Sequence, residues 1–167
     1  MNAKRILIAL LGVSLASLSI GQGGDHPSSD LENLTKRVDE FYCHMKAKRY
    51  ELAYGMWVDK HRADPEEMKE HMRYAKKMAR GIKIEGWTIS AIETSARLAR
   101  VTVELRSRVR DGSAGWVEDT SPERDFWRFE NGDWYLEPLR NVSWADGAVA
   151  HEVPESAVSN SCGQPGA

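Results

Sequence analysis

Several groups of residues in this chain have types and spacings that could do chemistry. Arg100, Arg106, Arg108 and Arg110 recur at even steps, and alternate residues of a strand project to one face, so they could cradle an anionic ligand or surface. Glu104 shares their face, and Glu85, Glu93, Glu118, Glu123 and Asp125 lie on neighbouring segments. Cross-strand pairing with these carboxylates makes an ordinary solvated ladder the preferred reading. Glu67 and His71 stand one helical turn apart, a spacing a metal can use. Two ligands fall short of a zinc site, and no compact motif recruits His44, His61 or Asp64 to complete it. Neither a metal nor another cofactor is expected. Cys43 and His44 are adjacent on a helix and point to different faces, which argues against a nucleophile pair.

The aromatic set Tyr42, Tyr54, Trp57, Trp87, Trp127, Phe129 and Trp134 could line an apolar ligand cavity or simply fill the core. Aromatic side chains at helical or strand spacing usually pack, so the core reading leads. Tyr42 and Tyr54 carry a further demand, because a buried phenol needs a hydrogen-bond partner, and a bound ligand could supply it.

The elements that must hold these residues are legible in the hydrophobic pattern. Asn131-Gly132 lies between two alternating aromatic runs from Asp125 to Glu137, the strongest short-range signal for a hairpin closed by a type I′ turn. That turn pairs Phe129 with Trp134 and Trp127 with Leu136 on an apolar face, and Arg128 with Tyr135 and Phe126 with Glu137 on the other. Before it, Val101, Val103, Leu105 and Val109 alternate with polar residues in a half-buried strand over 97–110. Ile82 and Ile84 have one parity and Trp87, Ile89 and Ala91 the other, which predicts a β-bulge near Gly86 and a curved sheet. A further strand region over 116–129 is expected to be interrupted around Ser121-Pro122.

Three helices precede the strands. Ser29 with Glu32 reads as a capping box, opening a helix to about Lys48 whose stripe is Leu31, Leu34, Val38, Phe41 and Met45. A short helix is expected over 50–59. Asp64 as N-cap with Pro65 at the first helical position starts the third, with Met68, Met72, Ala75 and Met78 or Ala79 inward and Gly81 as a left-handed cap.

Lys4 and Arg5 followed by the apolar run Ile6 to Leu18 and by Ser19-Ile20-Gly21 read as an export signal cleaved after Gly21. The expected organisation is a signal peptide over 1–21, a linker over 22–28, a folded domain over 29–141 and a mostly disordered tail over 142–167. The product is expected to be secreted or periplasmic, with no membrane-spanning segment. The 23 basic residues less Lys4 and Arg5, against 25 acidic ones, leave a mature charge of about −4, which does not suggest a nucleic-acid binder. In an oxidising compartment Cys43 and Cys162 could pair and tie the tail to the first helix; equally, Cys43 could be a buried hydrophobe and Cys162 an incidental thiol.

Three helices followed by a bent antiparallel meander, with the Arg49-Tyr50-Glu51-Leu52-Ala53-Tyr54 segment after the first helix and the closing hairpin Trp127 to Leu136, resemble the NTF2-like superfamily. That resemblance implies an α+β cone: three N-terminal helices packed on a curved antiparallel four-stranded sheet, with an apolar pocket at one end. The superfamily spans isomerases, dehydratases, transport factors and exported proteins without known catalysis, so fold alone does not give activity. This chain lacks the early Asp-bearing strand that follows the second helix in the steroid isomerase type. The leading expectation is an exported, non-enzymatic domain that binds a small apolar ligand or a protein partner, possible as a homodimer through its open sheet face. One alternative is an isomerase- or dehydratase-type enzyme with Tyr42 or Tyr54 as oxyanion donor and Asp59 or Asp125 as base. Another is an envelope-associated protein whose arginines meet anionic surfaces.

Overall fold

The computed structural model of the 167-residue chain describes residues 28–58, 64–112, 114–137, 148–154 and 162. The expected signal peptide, most of the linker and Asp59 and His61 lie outside the described residues. In chain order the elements are α1 (Ser28–Lys46), α2 (Tyr50–Gly55), α3 (Pro65–Met78), β1 (Ile82–Ser95), β2 (Leu98–Asp111), β3 (Gly115–Glu130), β4 (Asp133–Glu137) and β5 (Val149–His151). No helix among the described residues is long and apolar enough to cross a membrane.

The strands form one antiparallel sheet in the order β4-β3-β2-β1-β5. Its centre is a pair of long hairpins, and its register follows from local chemistry. Asn131 and Gly132 both take positive φ, 53° and 85°, as a type I′ turn requires, and Phe129 pairs with Trp134 and Trp127 with Leu136. The β1–β2 register shifts between Ile84 and Gly86 and again between Ile89 and Ala91, so two bulges curve the sheet where one was expected. The Arg106 side chain lies over Gly86, where a Cβ would meet its guanidinium at 2.7 Å and displace the end of that exposed side chain.

α1 lies against the concave side of this sheet. Leu34 and Val38 are completely buried, as are Val101, Val103, Trp127 and Trp134 opposite them. The Trp134 indole N–H donates to the Asp30 carbonyl oxygen at 3.0 Å, fixing the hairpin to the start of α1. The β4 edge is covered by the chain after α2, where the Leu136 N–H donates to the Met56 carbonyl and the Val58 N–H to that of Leu136, leaving that edge less open to foreign strands.

Four expectations are corrected. The sheet has five strands: Val149–His151, in the stretch read as a mostly disordered tail, pairs with β1 opposite Thr94 to Ile92, and the Thr94 hydroxyl meets His151 Nε2 at 2.7 Å. A three-residue strand has too little sequence to show a period. α2 ends at Gly55 rather than near Asp59. α3 ends at Met78 with Ala79 in right-handed geometry, and Gly81 stays out of the left-handed region because tight turns to Lys77 and Met78 lead straight into β1. β3 runs unbroken through Pro122, which pairs with Glu104. β4 covers only Phe126 to Glu130, so among the described residues Pro122 is at an edge, where its missing N–H breaks no ladder.

Candidate functional site

The helix stripe of α1 places Tyr42 over the sheet, one residue beyond Phe41. Its phenol O–H donates to Asp125 Oδ2 at 2.7 Å. Asp125 comes from β3, opposite Val101 and two residues before the buried Trp127, which is why alternation turns its carboxylate inward. Tyr42 is stacked on Trp87 with ring centroids 5.5 Å apart and meets Phe41 edge-on at 5.3 Å. The Trp87 indole N–H in turn donates to Asp39 Oδ1 of α1 at 2.6 Å.

This packing changes the acid–base properties of the group. Burial pushes the Asp125 carboxyl up to about 6, the Glu123 charge adds to the rise, and the Tyr42 hydrogen bond works against it. Burial, and then the Asp125 charge, holds the Tyr42 phenol well above its ordinary value. Asp39 is also raised by burial, against the hydrogen bond from Trp87. The arrangement is a proton acceptor that is half-ionised near pH 6, beside a phenol that stays protonated and donates.

A separate apolar cavity of about 530 Å³ opens between the end of α1, the inner side of α3, the first residues of β1 and the middle of β2. Met45, Tyr50, Ala75, Ile84 and Leu105 form its walls. Lys46, Lys48 and Lys83 also border it, and all three are exposed. The cavity volume falls within the range of small-molecule sites, about 300–1,000 Å³. Trp87 links this cavity to the carboxyl–phenol pair: its ring stacks on Tyr42, while the Lys46 ammonium lies 6.0 Å from its centroid. His71 borders the cavity from α3, with its ring 4.4 Å from Trp57 and 5.5 Å from Tyr54. Burial lowers its pKa, the Glu67 charge opposing, and its Nε2 has no hydrogen-bond partner among the described residues.

The residues singled out in the sequence divide accordingly. Trp87, Trp127 and Trp134 are core, as are Tyr42 and Tyr54, while Trp57 and Phe129 are partly buried. None of the seven borders the 530 Å³ cavity, so the cavity and the aromatic set are different places. Trp57 instead faces a smaller space of about 250 Å³ shared with Glu67, His71 and Tyr74. Of the arginines, Arg100 is paired with Glu93 and Arg108 with Glu85, Arg106 lies over Gly86, and Arg110 is exposed near the strand end. Cys43 and Cys162 form a disulfide with Cα atoms 5.4 Å apart. Among the described residues no group of three or more His, Cys, Asp or Glu side chains could hold a metal ion.

Sequence reasoning passed over the cavity walls. The sequence shows the α3 stripe of Met68, Met72, Ala75 and Met78 or Ala79 as inward-facing, but in the structure only Ala75 of it is buried, while Met68 and Met78 are exposed. An apolar stripe that its own domain does not cover is a mark of a binding surface. The Asp39–Trp87 bond carried no signal, since a lone Asp on a helix ordinarily faces water.

No family model matches the sequence, and no curated protein does. Among solved structures, the chain is similar to a candidate dehydratase of the NTF2-like family from Streptomyces avermitilis, with 16% identity and a TM-score of 0.51 over 68% of this chain and 99% of that one. It also aligns with a protein of unknown function from Mycobacterium tuberculosis, at 12% identity and a TM-score of 0.47, over 66% of this chain and 72% of that chain. At such identities the likeness speaks to architecture alone. With a curved antiparallel sheet wrapped on its first helix and closed by the Asn131-Gly132 hairpin, this chain has an NTF2-like fold.

Proposed function

We propose that this protein is an exported binding domain that holds a small apolar ligand in the cavity between α1, α3 and the sheet. The observation that carries the proposal is the cavity itself: about 530 Å³, walled by Met45, Tyr50, Ile84 and Leu105 and flanked by the exposed Met78 of α3. Leaving that much apolar surface unfilled is costly unless something occupies it. Export is supported by the basic, apolar and small-residue order of the first 21 residues and by the Cys43–Cys162 bond, which suits an oxidising compartment. A neutral naphthylamine dye tests the reading. It should brighten on binding the protein and lose that response in Ala75→Trp, where the indole occupies the cavity. A dye response unchanged by Ala75→Trp would remove the proposal.

One observation favours a second reading, an acid–base enzyme of the isomerase or dehydratase type. Asp125, raised to about 6, is bonded to the Tyr42 phenol at 2.7 Å, and a structural neighbour is a candidate dehydratase. In this reading Asp125 would take a proton alpha to a carbonyl and Tyr42 would stabilise the oxyanion. Asp125 does not border the cavity described above, so the binding reading stands first. Turnover of an enone or hydroxy-acyl substrate that is lost in Asp125→Asn but retained in Ala75→Trp would reverse that order.

A further inference from the structure

We infer that the ligand of the α1–α3 cavity is a free single-chain amphiphile with an anionic head, such as a medium-chain carboxylate. This rests on the reading of that cavity as the ligand site and adds the chemistry of the head group. Among the described residues, apart from His71, whose pKa is lowered by burial, every ionisable residue of basic or acidic type that borders the cavity is a lysine: Lys46, Lys48 and Lys83. No carboxylate is among them, although the chain as a whole carries 25 acidic and 23 basic residues. A cationic border on an apolar cavity is therefore a local departure from the composition.

The contacts these lysines make do not neutralise them. Lys46 Nζ donates to the Glu85 carbonyl oxygen at 2.7 Å, which occupies one of its three protons and leaves its charge unneutralised. Lys83 Nζ lies 4.2 Å from the centre of the Trp116 ring, a contact that orients the cation without cancelling it. The nearest acid in sequence, Glu85, is bonded to Arg108. Among the described residues, none of the three lysines has a carboxylate partner. An apolar tail entering between Tyr50, Ala75 and Leu105 would bring its head to this border. An anionic head would find charge-assisted donors there, whereas a cationic head would meet three like charges.

The test compares decanoate, decanol and decyltrimethylammonium as competitors of the neutral dye on the disulfide-bonded protein. A cavity with no use for charge prefers the alcohol, because a carboxylate is costlier to desolvate. The inference requires the opposite order, with decanoate at least about ten-fold tighter than decanol and the cation weakest. Across a series of carboxylates, affinity should rise roughly three- to four-fold per methylene. Lys46→Gln with Lys83→Gln should erase the preference for decanoate while leaving decanol unchanged, which separates the head-group contact from any loss of folding. Equal binding of all three heads would overturn the anionic assignment and leave the apolar cavity reading intact. Failure of every competitor to displace a dye whose response Ala75→Trp abolishes would overturn the amphiphile assignment, whereas a dye response unchanged by Ala75→Trp would overturn the cavity reading beneath it. Binding to phosphatidylglycerol vesicles without displacement by decanoate would assign the lysines to a lipid surface and overturn the proposal of a free ligand.

Discussion

Replacing Asp125 by asparagine should make this protein more stable at neutral pH, and the gain should disappear in acid. Asp125 is raised from 3.8 to about 6 in the folded chain. A carboxyl whose folded pKa lies above its unfolded one favours folding most when protonated. Its contribution is fully present below the unfolded value and is lost as pH rises through the folded one. At about 1.4 kcal/mol per pH unit, the interval corresponds to about 3 kcal/mol between acid and neutral solution. The carboxamide introduced by Asp125→Asn cannot ionise, and its oxygen can still accept from the Tyr42 phenol. The stability difference, variant minus wild type, should therefore climb by about 3 kcal/mol between about pH 3.5 and 7.5. Other carboxylates titrate in both proteins and cancel. Urea unfolding followed by Trp fluorescence at a series of pH values measures the difference. A difference that stays level would show the Tyr42 hydrogen bond balancing burial, and one that falls with rising pH would show it outweighing burial; either would refute a raised Asp125.

Three other outcomes follow from the packing. Reduction of the Cys43–Cys162 bond, which closes a loop with a sequence separation of 119, should cost about 2–5 kcal/mol, and a thermal transition unmoved by reductant would contradict this. Arg128→Leu removes the guanidinium bonded at 2.6 Å to the Glu137 carboxylate, whose side chain is fully buried, and should cost about 3 kcal/mol in urea unfolding. Gly132→Ala forces a side chain onto a φ of 85° and should cost about 1 kcal/mol or more, whereas Asn131→Gly, at a φ of 53°, should be close to neutral; equal effects of the two changes would argue against the type I′ turn.

The amino-acid sequence alone determined what is local. The Asn131-Gly132 turn, the pairing of Trp127 with Leu136, the α1 stripe and a bulge at Gly86 all follow from periodicity and from residues whose backbone preferences are narrow. Tyr42 and Asp125 were each legible as candidates, the one because a buried phenol needs a hydrogen-bond partner and the other as an acid that could serve as base. Their meeting was not legible: 83 residues separate them, and only the curvature of the sheet onto α1 brings phenol and carboxylate within 2.7 Å. The tertiary structure likewise decided that β5 joins the far edge of the sheet and that Cys162 reaches Cys43. It also left α3 standing off the sheet, so that Met78 is exposed and a cavity bordered by Lys46, Lys48 and Lys83 remains. Pairing and packing between distant segments depend on how whole elements fit together, whereas a hydrophobic period records only which side of one element turns away from water.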